Sequence, residues 1–209
     1  MVEDHPIVRE GLTLLIGNDP GLSVCGTKDS MHDALASIRE AKPDVVVVDI
    51  TLGDGNGLEL IRSLHKQLPK LPILVLSMHH EDLQAERALR AGARGYVMKS
   101  EAMDTVRAAI HRVLHGEIFV SERMVSRMLD KMVKLRTPEA PSLLESLTDR
   151  EFDVFRLIAQ GIGPTQIALQ LGLSVKTIET HREHIKDKLR LDNGTELTRF
   201  AVQWHLGHH

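Results

Sequence analysis

Four short apolar segments in the first half of the chain each stop at a polar residue suited to phosphate chemistry. Asp4 comes after Met1-Val2 in the pair Glu3-Asp4, Asp49 after residues 45–48, Ser77 after residues 73–76, and Lys99 after residues 96–98. Carboxylates, a hydroxyl and an ammonium in one crevice suit a hard divalent cation with a phosphoryl group, since oxygen ligands hold Mg²⁺ and an ammonium neutralises phosphate. One polar residue at a strand end is uninformative, whereas four point to a shared site. A second set of candidates lies near the C-terminus. There Lys176, Arg182, Lys186, Lys188 and Arg190 stand against Glu179, Glu183 and Asp187 on a single helical stretch. That is a modest basic patch, which composition alone does not separate from an ordinary solvated helix.

The elements that position the first set are an alternation of strands and helices. Apolar runs at 22–25, 45–48, 73–76 and 96–98 are separated by amphipathic stretches such as Leu58, Ile61, Leu64 and Leu83, Ala88, Leu89. Such alternation predicts an α/β domain with crossover helices and a parallel, doubly wound sheet, ending in a helix over about 101–115. Val45-Val46-Val47-Val48 has no polar alternation, as expected of a strand covered on both faces. Open parallel sheets bind ligands beyond the carboxyl ends of their strands, which is where the four polar residues fall.

Glu3-Asp4-His5-Pro6, Asp49, Ser77 and Lys99 together resemble the receiver domains of two-component response regulators, over residues 1 to about 116. The resemblance implies a flavodoxin-like fold. It implies that Asp49 accepts a phosphoryl group from a sensor histidine kinase and that Asp4 and Asp49 ligate Mg²⁺. Glu3 would act mainly through water, and Thr51 would offer its backbone carbonyl. Ser77 would meet the phosphoryl oxygens, Lys99 would pair with them, and Tyr96 would be an aromatic switch that swings inward. Two departures stand out. Gly53 occupies the place where relatives usually have proline, in the run Gly53-Asp54-Gly55-Asn56-Gly57, which predicts a looser turn. Only Met1 and Val2 precede the acidic pair, a stump that predicts poorly paired neighbours in the sheet and local disorder.

Residues 119–142 read as a linker. A helical pattern through Val120, Met124, Val125, Met128, Leu129 and Met132 gives way to the tether Arg136-Thr137-Pro138-Glu139-Ala140-Pro141. From Leu147 the pattern is wholly helical. Thr148 with Glu151 predicts a capping box, Gly161 a stop, Gly163-Pro164 a second start, Gly172 a second stop, and Ser174 the cap of a third helix to about Arg190. This describes a helix-turn-helix. On the third helix Ile178, Ile185 and Leu189 form the buried stripe, with Lys176, Thr180, Glu183 and Asp187 opposite.

The segments Leu147-Thr148-Asp149-Arg150-Glu151, Ile167-Ala168 and residues 174–181 resemble the LuxR-type effector domain, so the whole chain resembles a NarL/FixJ-class regulator. The resemblance implies contacts with double-stranded DNA from Lys176, Thr177, Thr180, His181, Arg182, Glu183 and Lys186, and a homodimer formed on phosphorylation or on DNA. The last helix, with Leu197, Phe200, Ala201 and Trp204 on one face, resembles a dimerisation helix. Pro164-Thr165 stands where relatives often carry Asn-Lys, so one phosphate contact is expected to be missing. The expected domains are a receiver at 1–118, a linker at 119–142 and a DNA-binding domain at 143–209.

Composition narrows the remaining classes. With 42% hydrophobic and 26% charged residues over 209 positions, the chain is expected to be globular rather than disordered. No apolar run approaches the ~18 residues of a membrane span, and the start has no leader character, so the expected place is the cytoplasm. The net charge of -3 requires any DNA contact to come from a local patch. Cys25 is expected to be a small buried thiol. His111 and His115 are an i,i+4 pair without a third ligand at usable spacing, and His208-His209 are set aside. An aspartate-nucleophile phosphatase would need a second Asp two residues after Asp49; Thr51 stands there, so a turnover enzyme is not expected. The alternative is a DNA binder independent of phosphorylation, its receiver serving for dimerisation.

Overall fold

The computed structural model describes residues 1–53, 55–78, 81–134 and 143–206, in two compact units, Met1–Arg136 and Thr137–His209. The proline tether at 136–141, the terminal histidines and the side chains of Leu83 and Met132 lie outside the described residues. Among the described residues no helix is long and apolar enough to cross a membrane.

The first unit opens with α1 (Pro6–Gly17) and α2 (Met31–Ala41), then β1 (Val46–Asp49). A small antiparallel pair, β2 (Thr51–Leu52) and β3 (Gly55–Asn56), leads into α3 (Gly57–Gln67). The chain then alternates through β4 (Ile73–Ser77), α4 (Glu81–Ala91), β5 (Gly95–Met98) and α5 (Met103–Leu114), and adds α6 (Glu122–Lys134). β1, β4 and β5 form a parallel sheet in the order β1-β4-β5. Local chemistry sets the helix starts. Pro6 fixes the first turn of α1, and Ser30 and Asn56 cap α2 and α3 by accepting the amides of Asp33 and Leu58.

Successive residues of β1 serve opposite faces, and both faces are apolar. Val46 and Val48 join Ala34, Ile61, Ala88 and Met124 on one side, while Val47 joins Leu12, Ile16, Ile110 and Val113 on the other. Helices therefore sandwich the sheet, which explains why the valine run lacks polar alternation.

Two expectations are corrected here. Residues 22–25 form no strand, and Cys25 is exposed rather than buried. Among the described residues Val2 bridges Lys28 on one side and Val48 on the other: its amide donates to Val47 O at 2.8 Å, and its carbonyl accepts from Asp49 N at 2.9 Å. Gly26 O accepts a hydrogen bond from the Met1 ammonium at 2.9 Å. A cavity of about 330 Å³ beside Met1 is lined by residues that include Leu22, Val24, Ile38, Val45 and Val47. Met1-Val2 is therefore paired to the sheet, against the expectation of local disorder.

The described residues of the second unit form a short 3₁₀ turn at Leu143–Ser146 and the helices α7 (Asp149–Ala159), α8 (Pro164–Gln170), α9 (Val175–Leu189) and α10 (Gly194–Leu206). The Thr148–Glu151 capping box is formed, and Ser174 caps α9. Ile178, Ile185 and Leu189 are buried, and Lys176, Thr180, Glu183 and Asp187 are exposed, as the periodicity requires.

Candidate functional site: a receiver pocket and a DNA-facing helix

Parallel strands end on the same edge, so β1, β4, β5 and the Val2 stub deliver Asp49, Ser77, Lys99 and Glu3-Asp4 to one pocket. Lys99 Nζ lies 2.7 Å from Asp49 Oδ2 and 2.7 Å from Glu3 Oε2, and all three side chains are at most 4% exposed. Asp49 Oδ1 accepts the amide of Thr51 at 3.1 Å. Burial raises the Asp49 carboxyl above its usual range and the Glu3 charge adds to this, while the Lys99 ammonium opposes both. Ser77 is buried, and its carbonyl accepts from Lys99 N at 2.7 Å.

The pocket fits the expected cation. Glu3, Asp4, His5 and Asp49 each offer a donor atom, and these atoms lie within 4.8 Å of one another. Asp4 Oδ1 is buried and accepts no hydrogen bond. Three carboxylates against one ammonium leave the group short of positive charge, and hard oxygen donors are what Mg²⁺ takes.

Three residues at the pocket escaped the sequence reading. Gly53 N donates to Asp4 Oδ2 at 3.0 Å, a bond that the proline of relatives cannot make. A Cβ on Gly57 would stand 2.2 Å from Asp49 O, so glycine is required there by close approach rather than by backbone angle. His5 Nδ1 stands 2.8 Å from Asp4 Oδ1 and 3.2 Å from Glu3 Oε1. The Gly-rich run was a signal for the first two, and the spacing Glu3-Asp4-His5 for the third. Tyr96 is only 1% exposed.

In the second unit the capping carboxylate doubles as a strut. Glu151 Oε2 accepts Thr148 N at 2.7 Å and Lys188 Nζ at 2.6 Å, tying the start of α7 to the end of α9. Arg150 adds a bond to Leu171 O at 2.9 Å, holding the end of α8. The DNA candidates divide by environment. Lys176, Thr180 and Glu183 are exposed, and the Thr177 hydroxyl is engaged with Ser174 Oγ at 2.8 Å. Lys186 pairs with Glu183 at 2.7 Å and Arg182 with Glu179 at 3.4 Å. His181 is partly buried, and desolvation holds its ring below the ordinary imidazole value.

The face of α10 read as a dimerisation surface also makes contacts within its own domain. Leu197 and Ala201 are buried, Trp204 meets Phe152 and Phe155 with centroids 5.9 and 5.4 Å apart, and Phe200 meets Phe155 at 6.0 Å. Large rings on two adjacent helices bury more apolar area against each other than either would gain by staying exposed.

Comparison with known proteins finds a family match for each unit. Residues 1–111 match the response regulator receiver domain, and residues 145–201 match the bacterial regulatory proteins of the luxR family. The chain is 35% identical over 204 residues to the DNA-binding transcriptional activator DevR/DosR of Mycobacterium tuberculosis, covering 97% of this chain and 93% of that protein. It is 30% identical over 205 residues to the response regulator VraR of Staphylococcus aureus, covering 98% and 96%. Among solved structures, RcsB of Salmonella typhimurium superposes with a TM-score of 0.68 at 25% identity, over 97% of this chain and 94% of that one. RcsB bound to the promoter rprA in the presence of phosphomimetic BeF3- gives 0.63 at 25% identity, covering 96% of each chain. The chain therefore belongs to the two-component response regulators, as a DNA-binding transcription regulator with a receiver domain and a LuxR-type domain.

Proposed function

We propose that Asp49 is the phosphoacceptor and that its acyl phosphate governs how α9 engages double-stranded DNA. The observation that carries this reading is the buried Asp49–Lys99–Glu3 group at the ends of parallel strands. An Asp49 oxygen attacks the phosphorus of a phosphohistidine on a sensor kinase, the P–N bond breaks, and the imidazole leaves with its electron pair and takes up a proton. A Mg²⁺ held by Asp4 and Asp49, by Glu3 through water and by the Thr51 carbonyl would neutralise charge on the transferring group. Lys99 keeps Asp49 ionised before transfer and pairs with the new phosphoryl oxygens afterwards; Ser77 donates its hydroxyl to them. Since Thr51 supplies no acid two residues after Asp49, the chain acts as a regulator and not as a turnover phosphatase.

On the DNA side, Lys176, Thr180 and Glu183 face the major groove, with Thr177 and His181 positioned beside it and Arg182 and Lys186 on the phosphates. Two copies on adjacent half-sites gain by effective concentration, so a homodimer raises affinity without new base contacts. The working divisions are the receiver at 1–118, the linker at 119–142 and the DNA-binding domain at 143–209, in a cytoplasmic protein. Its test is a DNA titration of wild type and Asp49→Asn, each with and without acetyl phosphate and Mg²⁺, with light scattering for mass. Binding should tighten only for treated wild type. Equal binding by untreated wild type, or a response of Asp49→Asn like that of wild type, would overturn this reading.

A further inference from the structure

We propose that His5 is itself a ligand of the divalent cation, through Nδ1, giving the receiver pocket a mixed nitrogen and oxygen donor set; the inference rests on the cation reading above. An all-oxygen pocket favours Mg²⁺, Ca²⁺ and Mn²⁺, and one imidazole widens the range toward the later first-row metals. Its consequence is that Mn²⁺ and the ions beyond it gain over Mg²⁺.

The geometry supports this at three points. First, His5 Nδ1 is 2.8 Å from Asp4 Oδ1, yet Asp4 Oδ1 accepts no hydrogen bond. The imidazole nitrogen thus reaches the carboxylate oxygen that the cation reading assigns to the ion. Second, adjacent ligands of an octahedral ion with bonds of about 2.1 Å stand about 3.0 Å apart. The separation of Nδ1 from Asp4 Oδ1, 2.8 Å, is close to that spacing. Opposite ligands of the same ion stand about 4.2 Å apart. The donor atoms of Asp4, His5 and Asp49 fall within 4.8 Å of one another, so a small closure brings them round one ion, with Glu3 reaching it through water.

Third, the backbone holds His5 in place. It is the N-cap of α1, its amide donates to Glu3 Oε1 at 3.1 Å, and Pro6 restricts the next torsion. Arg9 clamps the same turn through Glu3 O at 2.7 Å. The His5 side chain is 60% exposed, so Nε2 can keep its proton in water while Nδ1 presents a lone pair inward.

The competing role is a hydrogen bond from Nδ1–H that only orients Glu3. His5→Gln separates the two, because glutamine can still donate a hydrogen bond but brings no imidazole nitrogen. The measurement is pulsed electron paramagnetic resonance of Mn²⁺ on the full chain, with Mn²⁺ and Mg²⁺ affinities from calorimetry. Wild type should show an imidazole ¹⁴N coupling that vanishes in His5→Gln, with Mn²⁺ affinity falling about tenfold and Mg²⁺ affinity nearly unchanged. Mn²⁺ bound without that coupling, or a coupling that survives in His5→Gln, overturns the ligand role and leaves the cation site standing. If Asp4→Asn binds both ions as well as wild type, the cation reading fails, and this proposal with it.

Discussion

Lys99 Nζ and Asp49 Oδ2, 2.7 Å apart and almost fully buried, form an ion pair in which only one member also faces a like-charged neighbour, Glu3. Burial, followed by the repulsion from Glu3, raises the Asp49 pKa despite Lys99. A carboxyl that binds its proton more tightly when folded contributes stability below the unfolded value and loses that contribution as pH rises through the folded value. Asp49→Asn should therefore melt a few degrees above wild type at neutral pH, with the gap closing on acidification into the ordinary carboxylate range. Scanning calorimetry across that range checks it, and a variant that melts lower at neutral pH would show that the ion pair outweighs burial.

Glu151 behaves oppositely. Burial tends to raise its pKa, but Lys188 and the Thr148 amide and hydroxyl outweigh this, and the net shift is downward. Its contribution to stability is present above the unfolded carboxylate value and lost as pH falls through the depressed folded one. Glu151→Gln should cost about 1 kcal/mol at neutral pH, through the lost ion pair with Lys188, since glutamine can still accept the Thr148 amide. The difference from wild type should shrink in acid, as followed by thermal melts of the full chain.

Glu183 and Lys186, paired at 2.7 Å, bear on DNA affinity together. Removing the carboxylate frees the ammonium for phosphate. Glu183→Ala should change which bases are preferred and, by freeing the ammonium, steepen the salt dependence, whereas Lys186→Ala should weaken all sequences alike and flatten it. Thr180→Ala should alter base preference with little change in slope. A titration series from 50 to 200 mM salt, roughly the range where such contacts are most visible, distinguishes these outcomes.

Much of this protein was legible along the chain. Alternating apolar runs and helical patterns announced a parallel α/β unit, and Thr148 with Glu151, Gly163-Pro164 and Ser174 marked three helix starts that the structure contains. These features are local: strand polarity, capping and periodicity are written within a few residues, and strand ends in a parallel sheet must share an edge. Tertiary structure alone decided the rest. Residues 22–25 lost their strand because pairing depends on a neighbour far along the chain. The α10 face makes contacts within its own domain because Phe152 and Phe155 were there to receive it. His5, Gly53 and Gly57 joined the pocket because β1 and the Val2 stub brought Asp49 beside Asp4. Sequence determines which side chains can bond; only the packed chain determines which partner each one reaches.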